Sequence, residues 1–205
     1  MQVLAISKPK NLYEAQLLQK HHQLRASVFS SRLNWDVAVV DGREADAFDD
    51  LGPHYILAVS TSGRLAGCAR LLPAMGPTMV AEVFPSLLPE GRLKAHPAMT
   101  ESSRFCVDTT LDEGRGGGFV HEATLTMFAG IVEWCMASGF AEIVTVTDLR
   151  FERILARVEW PLQRIGEEKK IGVTMAVAGI LPATPETFQK LRPANYQSQI
   201  AKAIR

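Results

Sequence analysis

Residues 55–73, YILAVSTSGRLAGCARLLP, decide the fold. Two apolar runs, Tyr55 to Ser60 and Leu65 to Leu72, flank Thr61-Ser62-Gly63, a short loop with the glycine that a tight reversal favours. They read as an antiparallel hairpin. A third β-rich run, Ser103 to Val107, follows after an excursion from Pro73 to Thr100. Five prolines there predict irregular backbone with one short helical turn. Toward the N-terminus, Gln2 to Ile6 reads as the opening strand and Leu12 to Phe29 as a helix. Leu17, Leu18, His21, Leu24, Arg25, Val28 and Phe29 lie near one stripe at helical spacing. Toward the C-terminus, Phe119 to Ala137 reads as a largely buried helix and Glu142 to Thr147 as a strand. Asp148 caps a helix that runs to about Val158 and stops before Pro161; Ile171 to Ile180 is a late strand. Antiparallel strands first, then strands alternating with helices, predict an α/β fold with a mixed sheet covered on both faces. The 205 residues suffice for a single domain, 1–205.

Composition narrows the function. Basic and acidic side chains balance at 22 each, so no global charge favours nucleic acid. No stretch reaches the roughly 18 apolar residues of a membrane span, and the first residues lack a secretory signal pattern. A cytoplasmic protein is expected. Cys68, Cys106 and Cys135 lie in apolar runs without CxxC spacing, as reduced, buried thiols do. No histidine forms a ligand pattern with cysteine, so no metal site is expected. His21 and His22 read as surface or structural residues.

Four charged clusters lie beside apolar elements. Arg25, Phe29 and Trp35 form R-x3-F-x5-W. Glu44, Asp46 and Asp49 form E-x-D-x2-D. Arg70 stands inside the strand-like GCARLLP of residues 67–73. Glu101, Ser103 and Arg104 open ESSRFCVD. Singly, each has an ordinary explanation: a helix-end arginine, core aromatics or a solvated acidic loop. Arg70 and Arg104 are harder to dismiss, because strand interiors seldom hold an unpaired charge. Each wants a carboxylate, and Glu44, Asp46, Asp49 and Glu101 supply several.

Together, in this order and spacing, the clusters resemble the acyl-homoserine-lactone synthases, the autoinducer synthases of Gram-negative quorum sensing. The match runs from Leu24 to Val107, and TVTDLRFERIL at 145–155 is also similar. The resemblance implies a three-layer α/β/α sandwich similar to the N-acyltransferases of the acetyltransferase superfamily. It implies S-adenosylmethionine and an acyl-acyl-carrier protein as substrates, acyl-CoA replacing the latter in some members. Products are the acyl-homoserine lactone, 5′-methylthioadenosine and the free thiol carrier, with no cofactor.

The chemistry suits the residues. Phe29 and Trp35 offer faces to a purine and a sulfonium, each cation–π contact contributing about 0.5–2 kcal/mol. Arg25 or Arg104 is the fork for the substrate carboxylate; Asp46 and Asp49 either hold the ammonium or fix the arginines. Glu101 is either the general base for the amine or an ion-pair partner of Arg25 or Arg70, and Ser103 positions the amine. Backbone N–H groups near Arg104 and Phe105 face the oxyanion, by analogy of fold. Phe105, Val144, Thr145 and Val146, with Leu and Met residues of the Phe119-to-Ala137 helix, are expected to line the acyl chain. In the resembled family, Thr at the position of Thr145 goes with 3-oxo chains. Arg150, Arg153 and Arg157, at i, i+3 and i+7, form a basic stripe for an acidic carrier. Residues matching Arg153 and Arg157 act in carrier docking in that family.

Two rivals remain. A CoA-dependent N-acetyltransferase would use Arg115-Gly116-Gly117-Gly118 to cradle a pyrophosphate. A small-molecule sensor without turnover would share the pocket. Neither accounts for so many charges beside apolar elements.

Overall fold

The computed structural model describes residues 1–33, 35–114 and 120–200. The glycine loop of the acetyltransferase reading, 115–118, lies outside the described residues, as does Phe119. In chain order the strands are β1 (Gln2–Ile6), β2 (Val39–Val40), β3 (Arg43–Glu44), β4 (His54–Val59), β5 (Leu65–Pro73) and β6 (Met99–Val107). There follow β7 (Glu142–Asp148), β8 (Gln163–Arg164), β9 (Lys169–Ile171), β10 (Thr174–Pro182) and β11 (Gln197–Ser198). The helices are α1 (Leu12–Arg25), α2 (Met79–Glu82), α3 (Glu122–Ala137), α4 (Leu149–Arg157) and α5 (Pro185–Leu191).

One mixed sheet runs β11-β1-β4-β5-β6-β7-β10-β8, with β9 also paired to β10. Neighbours are antiparallel except β11–β1 and β6–β7. The β4–β5 hairpin is at its centre, as the 55–73 stretch requires. On one face α3 carries Met127, Phe128, Ile131 and Trp134 onto Val3, Ile56, Ile143 and Val177. On the other, Leu17, Val28 and Phe29 pack on Tyr55, Leu57 and Cys68, and Val80 and Leu87 pack on Met99 and Val144. The expected three layers are present.

Several boundaries differ from the sequence reading. The first helix does not stop at Phe29: α1 gives way to a π-helical stretch over Ala26–Arg32. Its wider turns carry Val28 O to Leu33 N–H and Phe29 O to Trp35 N–H, at 2.9 and 2.8 Å. β6 begins at Met99, four residues before Ser103, because Thr100, Glu101 and Ser102 pair with β5 while Met99, Thr100 and Glu101 also pair with β7 across a crossover that sequence periodicity does not register. The proline-rich excursion holds α2 and two 3-10 turns, Pro85–Leu87 and Pro89–Gly91, rather than one. The three cysteines are buried free thiols, as expected.

Close approach of α3 to the sheet depends on Gly130. A Cβ there would sit 2.6 Å from Cγ1 of Val3. Gly130→Val is expected to lower the free energy of unfolding by about 1–3 kcal/mol, read by denaturant titration.

Candidate active site

Three arginines and three carboxylates from the clusters interlock in one network. Arg25, at the end of α1, donates from Nε to Glu44 (2.5 Å) and from both terminal nitrogens to Asp49 (2.8 and 2.9 Å). Arg70, in β5, donates to both oxygens of Asp46, to Asp49 (2.9 Å) and to Ser103 Oγ (3.2 Å). Tyr55 O–H also donates to Asp49, at 2.8 Å. Arg104, in β6, lies 2.8 Å from Asp46 and 3.1 Å from Glu44.

Local structure sets these positions. Asp46 caps the 3-10 turn Ala47–Leu51, and the Asp49 carboxylate in turn accepts the Asp46 N–H at 2.9 Å. The reciprocal pair is a capping box, which makes the acidic loop rigid. Arg104 owes its aim to a β-bulge. β5 advances two residues between Cys68 and Arg70 while β6 advances three between Ser103 and Cys106. The extra residue lets Arg104 take φ +54, a left-handed backbone that non-glycine residues rarely adopt.

The three arginines are not equivalent. Arg25 and Arg70 are buried with their nitrogens engaged. Burial alone would lower the Arg25 pKa, but hydrogen bonds to Asp49 and Glu44 hold it above the ordinary value. Asp49 is likewise held well below the usual carboxylate range, Arg25 and Arg70 overriding desolvation. Arg104 shifts the other way. Desolvation lowers it despite Glu44 and Asp46, with Arg25 and Arg70 repelling it. Its side chain is 13% exposed, and its Nε, although near Glu44, has no aligned acceptor. Its guanidinium sits 5.6 Å over the Phe29 ring, which stacks on Trp35 at 5.3 Å and 10°. Unspent donors and an aromatic face therefore meet at Arg104.

Glu101 adjoins this group on β6. Its Oε1 accepts the Val80 N–H at 2.6 Å, while its buried Oε2 has no hydrogen-bond partner. Burial raises its pKa, against the pull of the Val80 and Met79 N–H groups, Arg70 and Ser103. Glu101 is also the last residue of β6 paired with β7, opposite Val144. Beyond it, β6 stays with β5 to Val107 and β7 stays with β10 to Asp148. The sheet parts there into a wedge.

The expected acyl-chain residues border this wedge but do not form one wall. Val144 and Val146 pack with Val80 and Met99 on one face. Phe105 packs with Phe128 and Phe151 on the other, at centroid distances of 5.2 and 4.9 Å. Thr145 lies between, its hydroxyl donated to Ser102 O at 2.8 Å. Arg150, Arg153 and Arg157 are exposed along α4, and no ion pair engages them among the described residues.

Comparison with known proteins follows this geometry. The sequence profile described as Autoinducer synthase matches residues 9–191. The chain belongs to the autoinducer synthase family. It is 71% identical over 200 residues to a probable acyl-homoserine-lactone synthase of Sinorhizobium fredii, covering 98% of this chain and 96% of that protein. The structure of BjaI, described as a CoA-dependent acyl-homoserine lactone synthase with SAM and isopentyl-CoA, superposes at TM-score 0.81 and 25% identity, covering 98% and 97% of the two chains. A putative N-acetyltransferase from Lactobacillus plantarum superposes at TM-score 0.58 and 14% identity, covering 89% and 97%, a likeness of fold alone.

Sequence reasoning missed some members of this autoinducer synthase site. Tyr55, Phe48 beneath Arg70 (5.5 Å), and Met79, whose sulfur accepts from Arg70 at 2.9 Å, come from elements that only folding brings near. The D-x2-D capping box was available as a signal. An open concavity of about 730 Å³ lined by His21, His22, Tyr55 and Asp50 shares Asp46 and Asp49 but not Arg104, Trp35 or Glu101. It does not coincide with the reactive groups.

His21 is structural. Its Nδ1 bonds Leu18 O at 2.5 Å, and burial, with His22 and Arg25 beside it, lowers its pKa from 6.5 to about 3. The unfolded chain therefore binds a proton below pH 6.5 that the fold refuses until near pH 3, so stability falls as pH drops through that window. A loss of about 1 kcal/mol per pH unit is expected between pH 6.5 and 5, with His54, also lowered by burial, acting in the same sense. His21→Leu should flatten most of that slope in denaturation curves; an unaltered slope would contradict the assignment.

Proposed function

We propose that the protein is an acyl-homoserine-lactone synthase that acylates the amine of S-adenosylmethionine and then closes the lactone. The observation that carries this reading is Arg104: strained, incompletely paired and set over Phe29, which itself stacks on Trp35. A ligand with a carboxylate near a cation and a flat purine satisfies all three features. In this reading Arg104, rather than Arg25, each of whose three nitrogens already donates to a carboxylate, forks the substrate carboxylate. Asp46 and Asp49 act by fixing the arginines, and Arg25 and Arg70 hold the frame.

In the first step the free amine attacks the thioester carbonyl. Glu101 takes the proton, directly or through water, its raised pKa suiting a base that must also release it. The carbon–sulfur bond of the thioester breaks and the thiol carrier departs with a proton. Ser103, bonded to Arg70, orients the amine; backbone N–H groups bordering the wedge steady the oxyanion. In the second step the carboxylate attacks the γ-carbon, and the bonding pair returns to sulfur as neutral methylthioadenosine leaves. Positioning carries this closure. Both steps conserve oxidation state, so the reaction calls on no redox group. The wedge between β6 and β7 takes a medium acyl chain; a 3-oxo group would have to draw the Thr145 hydroxyl from Ser102. The donor is an acyl carrier protein, docking on Arg150, Arg153 and Arg157, or CoA, and the protein works in the cytoplasm where these thioesters are made.

The primary test is mass spectrometry of purified protein with adenosylmethionine and a panel of acyl-carrier and acyl-CoA donors. Lactone with methylthioadenosine is expected. Acylated amine without methylthioadenosine, or tight binding without product, would overturn the proposal. Arg104→Lys keeps the charge but loses the fork. It should raise the KM for adenosylmethionine about 10- to 100-fold. Arg153→Glu with Arg157→Glu should raise the KM for carrier-bound donor and leave that for adenosylmethionine alone; unchanged kinetics would remove the docking face.

A further inference from the structure

We propose that Thr78 is a positioning residue for Glu101. It holds the α2 turn so that the Val80 N–H fixes one carboxylate oxygen and leaves the other for the substrate amine. This rests on reading Glu101 as the base. α2 has only four residues, too short to hold its own shape, so its orientation depends on its cap. Thr78 supplies that cap. Its hydroxyl accepts the Ala81 N–H at 3.3 Å and its carbonyl accepts the Glu82 N–H at 3.0 Å. It is fully buried, although a threonine that only capped a surface turn would stay in solvent. A second tie points the same way: Met79 accepts from Arg70 through its sulfur, binding the turn to the charged network.

The consequence is asymmetry at Glu101. Oε1 is committed to Val80 at 2.6 Å, whereas Oε2 is buried without an aligned hydrogen bond, although the Met79 N–H and Ser103 lie close enough to pull on the carboxylate. A buried carboxylate oxygen left without a donor is unfavourable unless a ligand supplies one. Glu101 stands where β6 and β7 part, the position from which that oxygen meets a group entering the wedge.

Thr78→Val keeps the shape of the buried side chain and deletes the acceptor. Thr78→Ser restores the acceptor. Thr184→Ala serves as control, because Thr184 caps α5 in the same way, accepting the Thr187 N–H at 3.2 Å, far from Glu101 in sequence and on a different element. Two readouts are taken: the acid limb of kcat/KM against pH, and the titration of the Glu101 carboxyl by ¹³C NMR. Weakening an N–H bond to a carboxylate raises its pKa, so both readouts should move about one pH unit upward in Thr78→Val. Both should return in Thr78→Ser, and Thr184→Ala should lower Tm without moving either. A folded Thr78→Val, or Thr78→Ala if the valine does not fold, with both readouts unmoved would overturn the proposal. If the NMR titration moves while the acid limb does not, Thr78 positions Glu101 but Glu101 is not the base, and the reading on which this rests fails separately.

Discussion

Charge that has left water must find charge, and in this protein that constraint joins five elements at one point. Arg25 from α1, Glu44 from β3, Asp46 and Asp49 from a 3-10 turn, Arg70 from β5 and Arg104 from β6 are largely removed from water and too close to be independent. Networks of this kind contribute little net stability, since desolvation offsets most of the attraction. Removing one member is another matter, because it strands its partner. The network is better understood as a device of geometry. It sets the register of α1 against the sheet and fixes where the third arginine points.

That arginine is the exception on which the proposed chemistry rests. Two guanidinium groups are saturated, and the third is held in a left-handed backbone by a bulge with donors unspent. The π-helical turn below it swings Phe29 and Trp35 into a stacked pair beside its face. The bulge and the parting of β6 from β7 lie within a few residues of one another, and the π-helix, distant in sequence, meets them through Phe29 beneath Arg104. Local conformations of this kind cost energy and persist where surrounding structure over-determines them, commonly at functional sites. The wedge follows from the same economy of ladders. Each of its strands keeps its outer neighbour, so opening it forfeits hydrogen bonds only along the inner edge.

Much of this was legible beforehand, for reasons particular residues make clear. Thr61-Ser62-Gly63 between two apolar runs leaves little alternative to a hairpin, and Asp148 before an amphipathic stretch announces α4. Arg70 and Arg104, charged inside strands, demanded acidic partners within reach, and the E-x-D-x2-D run provided them. Less visible were features of long range. The first residues of β6 owe their strand state to pairing on both sides, with β5 some thirty residues back and with β7 some forty residues on. Tyr55 reads as an ordinary strand aromatic until its hydroxyl meets Asp49. Grouping Val144 and Val146 with Phe105 overlooked that their side chains leave opposite faces of the sheet.

Periodicity, turn chemistry and motif spacing are local properties, and from them the class of fold, the charged and aromatic cast of the site and the family are legible. Folding settles which arginine has donors to offer, which oxygen of Glu101 lacks an aligned donor and where the sheet opens. Those outcomes depend on competition among groups far apart in the chain for a limited number of hydrogen-bond partners, and such a competition is resolved by distances that no linear pattern encodes.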